Sequence, residues 1–192
     1  MADEVLEDFG PSSGRITGVL GLGICVGIIV LGVVEYDEGF PAAGVWAALF
    51  AAVLLWSAML RPRVRVTAAE LRLRNMLTNI SVPLAAIEQI VVRQVLSVRA
   101  GESRYISSAV GKSWRQAIKS DRPREPGDDA PYPVFVEERL QQLAEEARSK
   151  AGITLMSDEQ LELAKQAHRE LAWPEIVLLG FTALGLVVAL LA

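Results

Sequence analysis

Hydrophobic and polar positions are not mixed evenly along the chain. Residues 16–34, 42–60 and 176–192 contain no Asp, Glu, Lys or Arg and are dominated by Gly, Ala, Val, Ile and Leu. At about 1.5 Å per helical residue these runs reach roughly 26–28 Å, close to the ~30 Å hydrocarbon core of a bilayer, so each predicts a transmembrane helix. After the second run the pattern changes to period two. Val64 and Val66 alternate with Arg63 and Arg65, Leu71 and Leu73 with Arg72 and Arg74, and Ile80 and Val82 with Asn79 and Ser81. Alternation of this kind predicts an antiparallel meander with one buried face. Residues 83–88 break it, 90–99 read as one longer strand, Gly101 turns the chain, and 104–110 read as the fifth strand.

The remaining polar stretch returns to helical spacing. Trp114 and Ile118 suggest a short helix over 112–120, and Pro123, Pro126, Pro131 and Pro133 with Gly127 mark a linker. Val136, Leu140, Leu143 and Ala147 then recur on one helical face, and Gly152 closes that helix. Ser157 with Gln160 forms a capping box opening a second amphipathic helix, which carries Leu161, Ala164 and Leu171 as far as Trp173. Pro174 breaks the helix before the third apolar run. The expected organisation is a tail over 1–15, a helical hairpin over 16–60 and a β domain over 61–120. A linker over 121–132, two amphipathic helices over 133–173 and a third span over 174–192 complete it. This is an α+β membrane protein with three transmembrane helices and one small antiparallel β domain. The first two spans carry small residues, Gly14, Gly18, Gly23 and Gly27 against Ala47, Ala48, Ala51 and Ala52, that permit close packing. A homo-oligomer through Gly23 and Gly27 is the alternative use of the glycine spacing. Trp46, Trp56 and Trp173 suit interfacial anchoring.

Charge fixes an orientation for this arrangement. The 35–41 loop has no Lys or Arg, whereas 61–122 carries 12 Lys/Arg and 4 Asp/Glu, beginning directly at Arg61, Arg63 and Arg65. The positive-inside rule therefore places the N-terminus and the β domain in the cytoplasm and the C-terminus outside. The acidic start, with Asp3, Glu4, Glu7 and Asp8, is unlike the positive n-region of a signal peptide. Residues 123–175 carry 6 Lys/Arg and 12 Asp/Glu, so the acidic helices are expected to fold back on the basic sheet. Arginine outnumbers lysine 15 to 4, which points to a high-GC bacterial genome and an inner-membrane location.

The stretch 61–115 carries a family resemblance. Pro62-Arg63-Val64-Arg65-Val66-Thr67, Glu70-Leu71-Arg72-Leu73-Arg74-Asn75, Val82-Pro83 leading to Ile87 and Ile90, and Arg104-Tyr105 before Gly111 resemble the bacterial PH-like domain of the low-molecular-weight protein antigen type, an actinobacterial family in which the domain commonly follows two transmembrane helices. The resemblance implies a PH-like β fold at the membrane and supplies no catalytic or ligand residues.

Candidate chemistry is sparse. Gly111-Lys112-Ser113 follows a strand, but a phosphate-binding loop needs a glycine five positions earlier, where Ile106 stands, so nucleotide binding is disfavoured. One histidine, His168, and one cysteine, Cys25 inside the first span, cannot build a Cys/His metal cluster or a Ser-His-Asp arrangement. Asp128 and Asp129 lie in the linker. No cofactor, metal or catalytic residue is therefore expected, and nucleic acid is disfavoured because a block with few aromatics faces the membrane. The residues singled out are Arg63, Arg65, Arg72 and Arg74, on one face of the first two strands of the meander. Close to an anionic leaflet such residues each contribute about 1 kcal/mol of attraction. The expected function is that of a non-enzymatic, membrane-anchored scaffold or accessory subunit presenting the domain to a membrane protein partner. An anionic-lipid binder using the arginine face is the alternative.

Overall fold

The computed structural model describes residues 5–11, 14–35, 39–111 and 131–192. Three of its helices are long and apolar enough to cross a membrane: α1 (Arg15–Val34), α2 (Ala42–Leu55, prolonged by a π-helical turn over Trp56–Leu60) and a C-terminal helix, Trp173–Leu191. Between α2 and that last helix the chain forms β2 (Arg63–Thr67), β3 (Glu70–Arg74), β4 (Thr78–Pro83), β5 (Gln89–Val92), β6 (Leu96–Ala100) and β7 (Ser103–Ser107). Helix α3 (Tyr132–Ala151), helix α4 (Asp158–Ala164) and strand β8 (His168–Leu171) follow, so the C-terminal helix is α5. Strand β1 (Val5–Phe9) precedes all three apolar helices.

The strands form two antiparallel sheets, one in the order β1-β2-β3-β4-β8 and one in the order β5-β6-β7. Their inner faces share a single core, in which Val64, Val66, Leu71, Leu73, Val82, Ile90 and Val98 are fully buried. The expected register of the meander holds: Val64 lies opposite Leu73 and Leu71 opposite Val82, all inward, while Arg65 lies opposite Arg72 on the outer face. Helix α3 closes the core with Val136, Leu140, Leu143 and Ala144. It also satisfies the free edge of β5, where an unpaired backbone would otherwise be exposed. Glu137 accepts from the Val92 N–H at 3.1 Å, and Gln141 donates to the Ile90 carbonyl at 2.9 Å. The amphipathic stripe thus docks on the apolar side of the sheets rather than on the arginine face.

Several expectations are corrected. Residues 90–99 are two strands, because a single extended strand would put Gln94 on the same inward face as Val92 and Leu96. The chain instead turns at 93–95, with the Arg93 N–H bonding the Val95 carbonyl, and pairs Val92 with Leu96. The segment read as an N-terminal tail contributes β1, paired with β2 and burying Phe9 opposite Val64. The second amphipathic helix ends at Ala164, and His168 lies on β8, not on a helix. There the open edge of β4 offers Thr78 to Ser81 as pairing partners, a tertiary gain that overrides helical patterning. The 104–110 strand stops at Ser107. Within α4 it is Gln160, not Leu161, that is buried. The 112–120 helix and the 121–130 part of the linker lie outside the described residues.

Among the apolar helices, α2 is central and packs against both α1 and α5. On α1, Gly18, Gly21 and Gly32 face α2, where an added Cβ would meet Met59, Leu55 and Val45 respectively. Cys25 follows the same spacing and is buried. Gly23 and Gly27 face away, with nothing within 4 Å of an added Cβ. Trp46 packs on α5, edge-to-face with Phe181 at 5.7 Å and over Gly185, where any side chain would strike the indole.

Candidate functional site

The outer face of the five-stranded sheet carries all four arginines in two cross-strand rows. One row runs Asp8, Arg65, Arg72, Ser81, His168, and the next runs Arg63, Arg74, Asn79, Glu170. Two pairs of like charges therefore sit directly opposite each other, Arg65 with Arg72 and Arg63 with Arg74, an arrangement that is unfavourable without counter-charge. Part of that counter-charge comes from β1. Asp8 lies 3.1 Å from Arg65 and 3.8 Å from Arg63, and Glu70 lies 3.4 Å from Arg72. These pairs are more than a third exposed, so each contributes only about 0–1 kcal/mol, but they dilute the positive face that the sequence suggests. The face forms an open groove of about 450 Å³ lined by Arg65, Arg72, Arg74, Ser81, His168 and Glu170 among others. His168 is exposed, its Nδ1 3.1 Å from the Gln166 carbonyl oxygen and its Nε2 4.0 Å from Glu170.

The second notable assembly lies where the sheet meets the apolar helices. Arg61, immediately after the π-helical turn, is almost wholly buried and is bound on every side. Its Nε donates to Glu175 at 2.6 Å, its Nη2 to Asn79 Oδ1 at 3.1 Å, and its Nη1 to the carbonyls of Asn75 and Met76. Glu175 opens α5, Arg61 closes α2, Asn75 and Met76 lie in the β3–β4 turn, and Asn79 lies in β4. One side chain therefore ties two apolar helices to one sheet. The backbone reinforces the joint, since the Ala172 N–H bonds the Leu77 carbonyl at 2.9 Å. Two of the three helix-to-sheet connections are short: two residues, 61 and 62, join Leu60 to β2, and one, Ala172, joins β8 to α5.

On the other flank, Arg139 of α3 reaches Glu7 of β1 at 2.6 Å, and the Tyr132 hydroxyl donates to the Gly10 carbonyl at 3.4 Å. Burial, with a smaller contribution from the Asp8 carboxylate, raises the Tyr132 pKa above that of a free phenol. The phenol accordingly stays protonated and donating through the neutral range. Gly111 is required by close approach: a Cβ there would collide with the Gln94 carbonyl, which accounts for the glycine of Gly111-Lys112-Ser113 without a nucleotide. Among the described residues no group of three or more His, Cys, Asp or Glu side chains is arranged to hold a metal ion.

The structure brings the four predicted arginines together on one face. Sequence reasoning missed their acidic partner Asp8 and the Arg61–Glu175 pair. The pair had a signal, a basic residue directly after one apolar run and an acidic residue directly before another. No family model, curated protein or solved structure matches the chain.

Proposed function

We propose that this chain is a non-enzymatic, membrane-anchored scaffold of the bacterial inner membrane that holds a PH-like unit rigidly at the cytoplasmic surface for a membrane protein partner. The observation that carries the reading is the joint around Arg61. Three apolar helices lead out of β1, β2 and β8 of a single sheet, and a buried ion pair with short connections fixes two of them to it. A unit held this way has little freedom to swing, which suits presentation in one orientation. The PH-like assignment is supported by two antiparallel sheets, one of β1 to β4 with β8 added at its edge and one of β5 to β7, with α3 over their shared core. In this reading the α1–α2 hairpin is inserted between the first and second strands of the domain. β1 and β2 pair, which puts both ends of the hairpin on one side, and the basic residues after position 60 assign that side to the cytoplasm.

The test is purification of the tagged full chain from its native membranes in mild detergent. Stoichiometric recovery of a second integral membrane protein is expected; recovery of the chain with lipid alone would overturn the reading. The lipid-binding alternative rests on one observation, the Arg63 and Arg74 pair at the end of the sheet nearest the apolar helices. It predicts that the full chain in nanodiscs binds vesicles containing phosphatidylglycerol and not neutral vesicles, and that Arg63→Gln with Arg74→Gln abolishes this.

A further inference from the structure

We propose that the loop over 153–157 is a protein-docking knuckle, in which Leu155 and Met156 enter an apolar cleft rimmed by Lys or Arg on the partner. The inference rests on the scaffold reading and names where and by what chemistry the partner is held. Met156 is the one residue other than glycine with positive φ among the described residues, at 62°. A long side chain in the left-handed region is strained, and such strain persists only where surrounding structure enforces it. Here the enforcement is explicit. Gln160, fully buried beneath the loop, accepts the Met156 N–H on Oε1 at 2.6 Å and donates from Nε2 to the carbonyls of Ala85 at 3.2 Å and Ile87 at 3.3 Å. Ser157 Oγ accepts the Gln160 N–H at 3.3 Å, and the Ile153 N–H closes the end of α3 on the Arg148 carbonyl at 3.0 Å.

This anchoring pushes apolar surface outward. Met156 is 74% exposed, the highest value among the described residues for a large apolar side chain outside the three apolar helices, and Leu155 beside it is 53% exposed. A methionine fits this role, because its flexible thioether adapts to an apolar cleft. The loop rests on Ala85 and Ile87, beyond the end of β4 opposite the Arg61 joint. At about 3.3 Å per residue, six residues of strand separate it from the helices by roughly 20 Å, which argues against insertion into the bilayer. Asp158 and Glu159, which follow the two apolar side chains in the first turn of α4, are exposed and make no ion pair among the described residues. Apolar centre and acidic border together select a cleft with a basic rim, charge steering the approach and apolar contact holding it.

The test uses the full chain in its native membranes, with photoreactive benzoylphenylalanine replacing Met156, or as a control Arg93 in the exposed β5–β6 turn. A discrete protein adduct from position 156 and none from 93, reduced at least tenfold by Asp158→Lys with Glu159→Lys, supports the knuckle. Met156→Gly, which relieves the strain, is expected to raise the melting temperature by about 2–4 °C while lowering capture from a probe at Leu155. Overturning results are no adduct, an adduct equal at both positions, an adduct with lipid or a second copy of this chain, indifference to the charge reversal, or a lower melting temperature for Met156→Gly. If the chain co-purifies with a membrane protein but gives no adduct at 156, the knuckle fails and the scaffold reading stands. If neither is seen, both fail.

Discussion

Arg61 and Glu175 lie 114 positions apart in sequence and meet at 2.6 Å, with side chains only 5% and 12% exposed. Removing charge from water at such a site is costly, and the pair is sustained because the remaining guanidinium donors are taken up by the β3–β4 turn carbonyls and by Asn79 of β4. Its consequence is mechanical: the end of α2, the start of α5 and the sheet cannot move independently without breaking it.

Breaking one side of that pair should therefore cost more than an exposed ion pair would. Glu175→Gln leaves Arg61 buried without its counter-charge and is expected to destabilise the full chain by about 3 kcal/mol, the range for broken buried pairs. Asp8→Asn, which loosens only the half-exposed contacts to Arg63 and Arg65, should cost below about 1 kcal/mol. Thermal unfolding in detergent or nanodiscs measures both; equal effects would remove the special status of the joint.

The strand register makes a sharper contrast. Leu73 and Val66 are completely buried, so Leu73→Asp or Val66→Asp places a carboxylate in the core and should cost several kcal/mol, enough to prevent folding. Arg72→Ser, on the outer face of the same strand as Leu73, should leave a folded protein. Protease resistance of the purified variants reads this directly, and similar sensitivity in Leu73→Asp and Arg72→Ser would refute the register.

How much of this was legible in the sequence follows from which forces are local. The apolar runs and the alternation around Val64, Leu73 and Ile80 are local patterns, and they carried the helices and β2 to β4. The Gln94 position was also legible, since a polar residue due to point inward is a sign of a turn. Strands β1 and β8 were not, because what stabilises Val5–Phe9 and His168–Leu171 is the free edges of β2 and β4, 54 or more positions away. For the candidate site the sequence placed the four arginines correctly, yet the counter-charge from Asp8 arrives on a strand whose partner lies beyond the whole hairpin. In the sequence Gln160 reads only as half of a capping box, yet it is fully buried. Its amide is held by Ala85 and Ile87, contacts that no local pattern encodes.

Strand β1 should be part of the domain's stability. Phe9→Ala removes a buried ring from the edge of the core and is expected to cost about 3 kcal/mol, the lower end for a buried Phe. A fragment over 61–172 that lacks β1 should melt well below one in which residues 5–11 are fused ahead of β2. Equal melting temperatures would show that β1 is dispensable.

Helix packing gives a test independent of the sheets. Gly185→Val would drive a side chain into Trp46 and should separate α2 from α5, lowering the melting temperature of the full chain. Gly23→Val and Gly27→Val meet nothing within the chain and should be neutral for its fold. A shift in oligomeric mass on light scattering for Gly27→Val would assign that open face to a homo-oligomer; an unchanged mass would leave it facing lipid.

The central claim is that one sheet, built from both sides of the α1–α2 hairpin, stands on a single membrane surface with α5 leading away through it. Single cysteines in a Cys25→Ala background, replacing Glu7 in β1, Gln89 in β5 and Ala192 at the C-terminus, test this with a membrane-impermeant thiol reagent on intact cells. The account predicts labelling at 192 from outside, and at 7 and 89 only after the membrane is opened. Labelling at 89 from outside, or opposite sides for 7 and 89, would contradict it.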